Sequence, residues 1–146
     1  MKKTRQLQLM ADKLRVHSIR STTAAGSGHP TSCLSCAEII SSLFFSKMKA
    51  EDEFILSKGH AAPILWAAYA EAGLIEPDEL MNLRKVDSML EGHPSFRMPM
   101  VRTATGSLGQ GLATGTGMAM AMKLGDTGAM VYVLLGDSEC SEGSVW

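Results

Sequence analysis

Apolar residues recur at helical spacing near the start of the chain. Between residues 4 and 23, Lys, Arg, Asp and Gln separate four of them: Leu7, Met10, Leu14 and Val16. This pattern predicts one amphipathic helix. The glycines and proline of "AAGSGHPTS" then indicate a loop. Thr31 or Ser32 is placed to cap a second helix through "SCLSCAEIISSLFFS", whose apolar content predicts burial.

Two stretches have the character of strands. "EFILS" is short, β-prone and followed by Lys58-Gly59-His60. "GAMVYVLLGD" hardly alternates, so we expect both of its faces to be covered, as in a parallel sheet flanked by helices. A buried parallel strand needs neighbours on both sides to satisfy its backbone groups. We therefore expect an α/β fold with a partial parallel sheet, whose remaining strands lie outside these residues.

Helical patterns fill most of the sequence between the two strands. "APILWAAYAEAG" predicts a helix with Pro63 in its first turn and Gly73 at its end. "PDELMNLRK" opens a short helix, and "EGHPSFRMPMVRTATGS" predicts an extended loop. "LGQGLATGTGMAMAMKLG" is helical although each interior glycine costs about 1 kcal/mol. Its glycines predict a backbone or ligand close to one face: Gly109, Gly111, Gly115 and Gly117.

Composition narrows the class of protein. The chain has 146 residues, 45% hydrophobic and 20% charged, with a formal net charge of −1. We expect one compact cytoplasmic domain that binds neither nucleic acid nor membrane, since a signal peptide and a transmembrane-length apolar run are both missing. The three cysteines are interpreted as reduced thiols. Cys33 and Cys36 fit two small buried residues on one helix face better than a redox motif.

Several polar residues lie where ligands bind in α/β folds. Asp137 follows the second strand, so it is either a Mg²⁺ or Ca²⁺ ligand or a turn former. Three histidines follow glycines in loops, and a shared polar site is favoured over coincidence or zinc: His29, His60 and His93. "ATGSLGQGLATG" is similar to an anion cradle at a helix N-terminus, but lacks dinucleotide spacing and the P-loop lysine.

Five segments together, in this order, resemble transketolase: "TTAAGSGHPTS", "FILSKGHAAPILWAAYAEAG", "LEGHP", "ATGSLGQGLATGTGMA" and "LLGDSECSEGSVW". The resemblance covers nearly the whole chain and is closest to animal-type enzymes. It implies the amino-terminal, diphosphate-binding domain of a thiamine diphosphate enzyme. Transketolases are transferases of the pentose phosphate pathway that move a two-carbon ketol unit from a ketose phosphate to an aldose phosphate.

The resemblance also implies roles for individual residues. Asp137 would ligate Mg²⁺ or Ca²⁺ beside the cofactor. Thiamine diphosphate would be held by Ser32, Lys58, His60, Gly106, Leu108 and Gly136. His29 and His93 would face the sugar and relay protons. Glu142 matches a buried acid at the interface of a homodimer formed by the full-length protein, where it links the two active sites.

Three departures from the family pattern qualify this interpretation. Ser138 replaces the usual glycine of Gly-Asp-Gly, which weakens the site if that position needs positive φ. "KMKAEDEFIL" is shorter than its counterpart. The second metal ligand, an asparagine about 30 residues further along in such domains, is expected outside the chain, as are the pyrimidine-binding and carboxy-terminal domains. We therefore expect residues 1–146 alone to be inactive and to bind the cofactor weakly.

Other functions stay open at this point. Another thiamine enzyme, such as a deoxyxylulose phosphate or dihydroxyacetone synthase, shares the chemistry. A non-catalytic truncated paralogue acting as a binding module is favoured slightly by Ser138 and the early end of the chain. A nucleotide-binding doubly wound domain would bind ATP or NAD instead.

Overall fold

The computed structural model describes residues 2–146, which fall into two compact units. The helical unit comprises the residues up to Met48 together with His60–Gly92. The sheet unit comprises Lys49–Gly59 and His93–Trp146. The first predicted strand belongs to the sheet unit although helical residues flank it in sequence. As a result, the candidate site residues are divided between the two units.

The first helix, α1, spans Lys2–Ala25 and confirms the predicted helix. Its buried positions recur every three or four residues: Ala11, Leu14, Ser18, Ser21 and Thr22. Val16, predicted for the apolar face, is 52% exposed. It follows the buried Leu14 by two residues, which turn a helix by about 200°, so Val16 faces away from the buried side. Small polar residues occupy that face instead, and Ser18 donates to the Leu14 carbonyl at 2.8 Å. Burying a hydroxyl is tolerated when it is bonded in this way.

The second predicted helix is divided. The helix α2 spans Pro30–Leu34 and α3 spans Ala37–Ser42, after which a π-helix covers Leu43–Lys47. The predicted cap at Thr31 or Ser32 is wrong, because Pro30 occupies the first turn and His29 takes the N-cap position. Cys33 and Cys36 are both buried, as predicted.

The helix α4, Ala62–Glu71, forms the centre of the helical unit. All residues from Ala62 to Ala70 are buried, which is the pattern of a helix covered on every side. Its Trp66 indole N–H donates to the Glu91 carbonyl at 2.8 Å. The predicted glycine ending is confirmed, since Gly73 adopts a φ of 73° just beyond the helix.

The short helix predicted after α4 is a 3-10 helix over Pro77–Asn82. Residues 91–107, predicted as an extended loop, contain no regular helix or strand. Within the part of the chain that the structure describes, none of the helices combines the length and apolar character needed to span a membrane.

The sheet consists of two parallel strands, as predicted. The first, β1, spans Glu53–Leu56 and the second, β2, spans Val131–Leu134. Their register pairs Glu53 with Val131 and Leu56 with Leu134. All four residues of β2 are partly exposed, and the prediction that both of its faces are covered, which included strands outside these residues, stays a prediction.

The helix α5, Gln110–Leu124, packs on this sheet through two of its glycines. A Cβ on Gly111 would lie 2.5 Å from the Ser57 hydroxyl and 2.8 Å from the Ser57 Cα. A Cβ on Gly115 would collide with the Val133 side chain. The predicted close neighbour is therefore the sheet itself. At Gly117 no atom of the described residues lies within 4 Å of the Cβ position, so the packing of the chain itself does not explain this glycine.

Candidate functional site

The carboxyl ends of β1 and β2 bring two predicted cofactor segments side by side. The backbone N–H groups of Ser57 and Lys58 both donate to the Leu134 carbonyl, at 3.0 and 3.3 Å. The Lys58 Cβ lies 3.7 Å from the position that a Cβ on Gly136 would take. Lys58 is only 6% exposed, unusual for a lysine. A cationic side chain and a glycine turn therefore adjoin at this edge of the sheet.

The protein's own packing does not require a glycine at position 136. Its φ lies outside the positive range, and an added Cβ would make only ordinary contacts of 3.7–3.8 Å. Gly59 differs, because an added Cβ would lie 2.8 Å from the Thr105 carbonyl carbon. A Cβ at position 136 would therefore be tolerated by the chain itself, and close approach of a diphosphate to Gly136 stays a prediction.

Asp137 stands at the N-cap of a 3-10 helix, Ser138–Ser141, with an exposed side chain. Its carboxylate makes no capping hydrogen bond, but its carbonyl accepts from the Cys140 N–H at 3.2 Å, so both the metal-ligand and the turn-former interpretations stay open. Among the described residues, no three His, Cys, Asp or Glu side chains converge as a metal cluster. The role of Asp137 as a ligand of Mg²⁺ or Ca²⁺ stays a prediction.

Ser138 is accommodated without backbone strain. It begins the 3-10 helix, and it is not among the residues with positive φ. A serine therefore has no conformational penalty here, and the weakening expected from positive φ does not arise.

The carboxylate at the centre of this edge is Glu139, which the sequence did not reveal. Glu139 is 1% exposed. Its Oε1 accepts from the Ser57 hydroxyl at 2.5 Å and from the Gly109 N–H at 2.9 Å. Its Oε2 accepts from the Gly136 N–H at 2.8 Å. A four-residue 3-10 helix is too short to carry an apolar period, so no pattern marked this residue as buried.

The predicted anion cradle at the start of α5 needs a correction. Gly109 is the N-cap of α5, with a φ of 84°. Its N–H already donates to the Glu139 carboxylate. This N–H is therefore engaged by an anion that the protein itself supplies.

Three predicted residues, His93, Gly106 and Leu108, lie on the loop that precedes α5. The His93 ring approaches to 3.4 Å of the position that a Cβ on Gly106 would take. The Thr105 hydroxyl donates to the Leu56 carbonyl at 2.7 Å, which holds the loop against the end of β1. Leu108 is half-buried. The loop therefore places these residues beside the edge that carries Lys58.

The helical unit holds the other predicted residues. The rings of His29 and His60 meet edge to face, with centroids 5.3 Å apart and planes at 80°. The Cys33 thiol donates to the Ala61 carbonyl at 3.7 Å, which links α2, the helix that carries Ser32, to the turn that carries His60. The structure thus pairs two of the three loop histidines. That all three serve one cofactor remains a prediction.

Glu142 follows the 3-10 helix and is exposed in this chain. Its N–H donates to the Glu139 carbonyl at 3.0 Å, and its own carbonyl accepts from the Val145 N–H at 3.0 Å. The predicted role at a subunit interface stays a prediction. Within the described chain, the buried acid of this segment is Glu139.

The fourth histidine, His17, makes its contacts within the helical unit. His17 on α1 lies 2.9 Å from Glu71 at the end of α4, and the Lys13 ammonium lies 3.2 Å from the same carboxylate. Burial raises the pKa of Glu71, but the bonds from His17 and Lys13 outweigh it, so the pKa lies below its ordinary value. This cluster ties α1 to α4.

Comparisons with known proteins agree with this geometry. A family model described as "Transketolase, thiamine diphosphate binding domain" matches residues 6–145. The chain is 55% identical to transketolase-like protein 2 of Bos taurus over 150 residues, covering 96% of this chain and 24% of the relative. It is 53% identical to Homo sapiens transketolase over 154 residues, covering 99% and 25%.

A solved structure shows the same fold. The transketolase from Leishmania mexicana matches with a TM-score of 0.90 and 29% sequence identity, covering 95% of this chain and 24% of that one. The chain therefore spans about a quarter of the length of the relatives that it matches.

Proposed function

Because this chain belongs to the transketolase family, we propose that it supplies the diphosphate-binding part of an enzyme that transfers a two-carbon ketol unit between sugar phosphates. It acts together with segments equivalent to the remainder of its relatives, as a homodimer. By itself it does not turn over substrate. The observation that carries the proposal is the shared edge of β1 and β2, where Lys58, Gly136 and Asp137 adjoin.

Each of these residues has a distinct task towards the cofactor. The Lys58 ammonium offsets negative charge on the diphosphate, and Gly136 lets its oxygens approach the backbone. Asp137 gives one oxygen to Mg²⁺ or Ca²⁺. When bound, thiamine diphosphate supplies the carbon that carries the ketol unit and takes up its electrons. Gly106 and Leu108 line its other end.

The imidazoles manage hydroxyl groups and protons. His29 and His93 bind sugar hydroxyls and move protons during carbon–carbon bond cleavage, since imidazole changes protonation near neutral pH. His60, with Ser32, donates to phosphate oxygens. The edge-to-face contact of His29 and His60 supports this division, because it restricts the orientation of both rings.

A hybrid enzyme tests the proposal. The matching first quarter of human transketolase is replaced by this chain, and ketol transfer is measured with thiamine diphosphate and Mg²⁺. We expect turnover by a dimeric hybrid and none by the isolated chain. A folded, dimeric hybrid without activity would refute the proposal, whereas binding of ATP or NAD would favour a nucleotide-binding domain.

A substitution of Asp137 tests its proposed role as a metal ligand. In the hybrid, Asp137→Asn is expected to raise the Mg²⁺ concentration for half-maximal activity by about tenfold or more, because a carboxylate ligand loses its charge. Asp87→Asn, an exposed position in the helical unit, is the matched control. An unchanged Mg²⁺ requirement in Asp137→Asn would remove this residue from the metal site.

One of the two arguments for a non-catalytic binding module is weakened. It rested on Ser138, and the helical backbone of Ser138 accepts a serine without strain. Substrate profiling of the hybrid separates a transketolase from the other thiamine enzymes, which share the cofactor but differ in their acceptors.

A further inference from the structure

The Glu139 carboxylate connects three segments of the sheet unit. One buried carboxylate joins the end of β1 through Ser57, the end of β2 through Gly136 and the start of α5 through Gly109. The three bonded residues, Ser57, Gly109 and Gly136, lie more than 25 residues from one another in sequence. Ser57 and Gly109 are also more than 25 residues from Glu139, whereas Gly136 is near it. The carboxylate therefore fixes their mutual distances.

Each of the three bonded residues is, or adjoins, a residue assigned to the cofactor. Ser57 precedes Lys58, Gly109 follows Leu108, and Gly136 is itself assigned and precedes Asp137. We propose that Glu139 is a positioning residue. It sets the distances between the backbone segments that carry the proposed cofactor-binding residues Lys58, Leu108 and Gly136, and it does not touch the cofactor. This inference rests on the proposed function, because it concerns the same site.

The chemistry of the contacts requires a carboxylate. All three partners are donors, one hydroxyl and two backbone N–H groups, and an ionised carboxylate offers acceptors on both oxygens. A glutamine would keep one acceptor and turn an NH₂ group towards a donor. If its oxygen stays with Ser57 and Gly109, the Gly136 N–H loses its acceptor, and the turn that carries Asp137 is released.

A titration of the 146-residue chain separates positioning from general stability. Nitrogen-15-labelled protein is titrated with thiamine diphosphate and Mg²⁺, and backbone amide shifts are followed by NMR well below the melting temperature. We expect Glu139→Gln to bind about tenfold more weakly than wild type, since bonds to a charged group are lost. The Gly136 and Leu108 amide shifts on binding should also shrink.

The matched control is Glu51→Gln, which removes the same charge from an exposed position of the sheet unit. Its affinity should equal that of wild type. If Glu139→Gln melts at a lower temperature yet binds as wild type does, Glu139 only stabilises the fold and the inference is wrong. If the wild-type chain shows no response to the cofactor, the same variants are compared in the hybrid enzyme. A folded wild-type hybrid that does not bind the cofactor refutes the proposed function, and this inference with it.

A second variant covers the case in which Glu139→Gln does not fold. Ser57→Ala removes one of the two donors to Oε1 and leaves both backbone N–H bonds in place. We expect its affinity to fall by about two- to fivefold, in keeping with one hydrogen bond of the three. Unchanged affinity in a folded Ser57→Ala would contradict the inference.

Discussion

Glu71 shows how one residue joins two helices of the helical unit. Its carboxylate meets His17 at 2.9 Å and Lys13 at 3.2 Å, both on α1. The side chain is 17% exposed, so these contacts are partly shielded from water. Exposed ion pairs contribute little to stability, whereas a half-buried carboxylate with two donors contributes more.

The lowered pKa of Glu71 makes stability depend on pH. A depressed folded-state pKa gives stability that is present above the unfolded-state pKa and is lost as pH falls through the folded-state value. Glu71→Gln should therefore reduce the free energy of unfolding by on the order of 1 kcal/mol at pH 7. This difference should shrink below about pH 4, near the ordinary glutamate pKa.

Urea unfolding followed by circular dichroism at both pH values checks this expectation. Glu76→Gln, at an exposed position after α4, is the control and should behave as wild type. A difference between Glu71→Gln and wild type that stays constant across the pH range would show that ionisation of Glu71 is not its source.

The sequence predicts site residues that belong to a recognisable local motif. It does not predict residues whose role depends only on contacts between distant parts of the chain. The sequence marked Gly136 and Asp137, because a strand leads directly to them. It did not mark Glu139, whose partners Ser57 and Gly109 lie 82 and 30 positions away. No local pattern records such distant pairings.

At the scale of an element, α5 shows two kinds of helical glycine. Gly111 faces the Ser57 backbone, and Gly117 faces open space. Gly111→Ala should lower the free energy of unfolding by about 2 kcal/mol, because its Cβ would overlap backbone atoms that cannot move aside. Gly117→Ala should raise it by up to about 1 kcal/mol, through helix propensity alone.

Urea unfolding of the two alanine variants gives this comparison directly, and each serves as the control for the other. Equal effects of the two substitutions would mean that α5 does not pack on the sheet through Gly111.

Most helices and strands could be predicted from the spacing of apolar residues and from the positions of glycine and proline. Both strands, α4 and its Gly73 ending are predictable in this way. The failures have local causes. Ser18 and Thr22 bury hydroxyl groups that donate to backbone carbonyls of their own helix. Because polar residues were expected on the exposed side, the buried face of α1 was predicted incorrectly. Pro30 begins α2 earlier than a side-chain cap would.

At the scale of the whole molecule, the weak cofactor binding proposed for this chain alone would change its melting temperature. A ligand at ten times its dissociation constant stabilises a folded protein by about 1.4 kcal/mol. For a chain of this size, that corresponds to a rise in melting temperature of about 3–6 °C. We expect this shift at millimolar concentrations of thiamine diphosphate and Mg²⁺, in keeping with the weak affinity proposed for this chain alone.

Differential scanning fluorimetry measures that shift. Thiamine without its diphosphate is the control and should produce none, because the proposed contacts are to the diphosphate. An equal shift with thiamine alone would place binding elsewhere on the chain.

The parallel pairing of β1 with β2 has a consequence for the order of events during synthesis. Asp52, just before β1, bonds to Met130, 78 positions later. At about 5–20 residues per second, a ribosome needs roughly 4–16 s to produce that partner. Throughout this interval the nascent strand is unpaired, and the acidic run of Glu51, Asp52 and Glu53 at its start discourages contact with neighbouring chains.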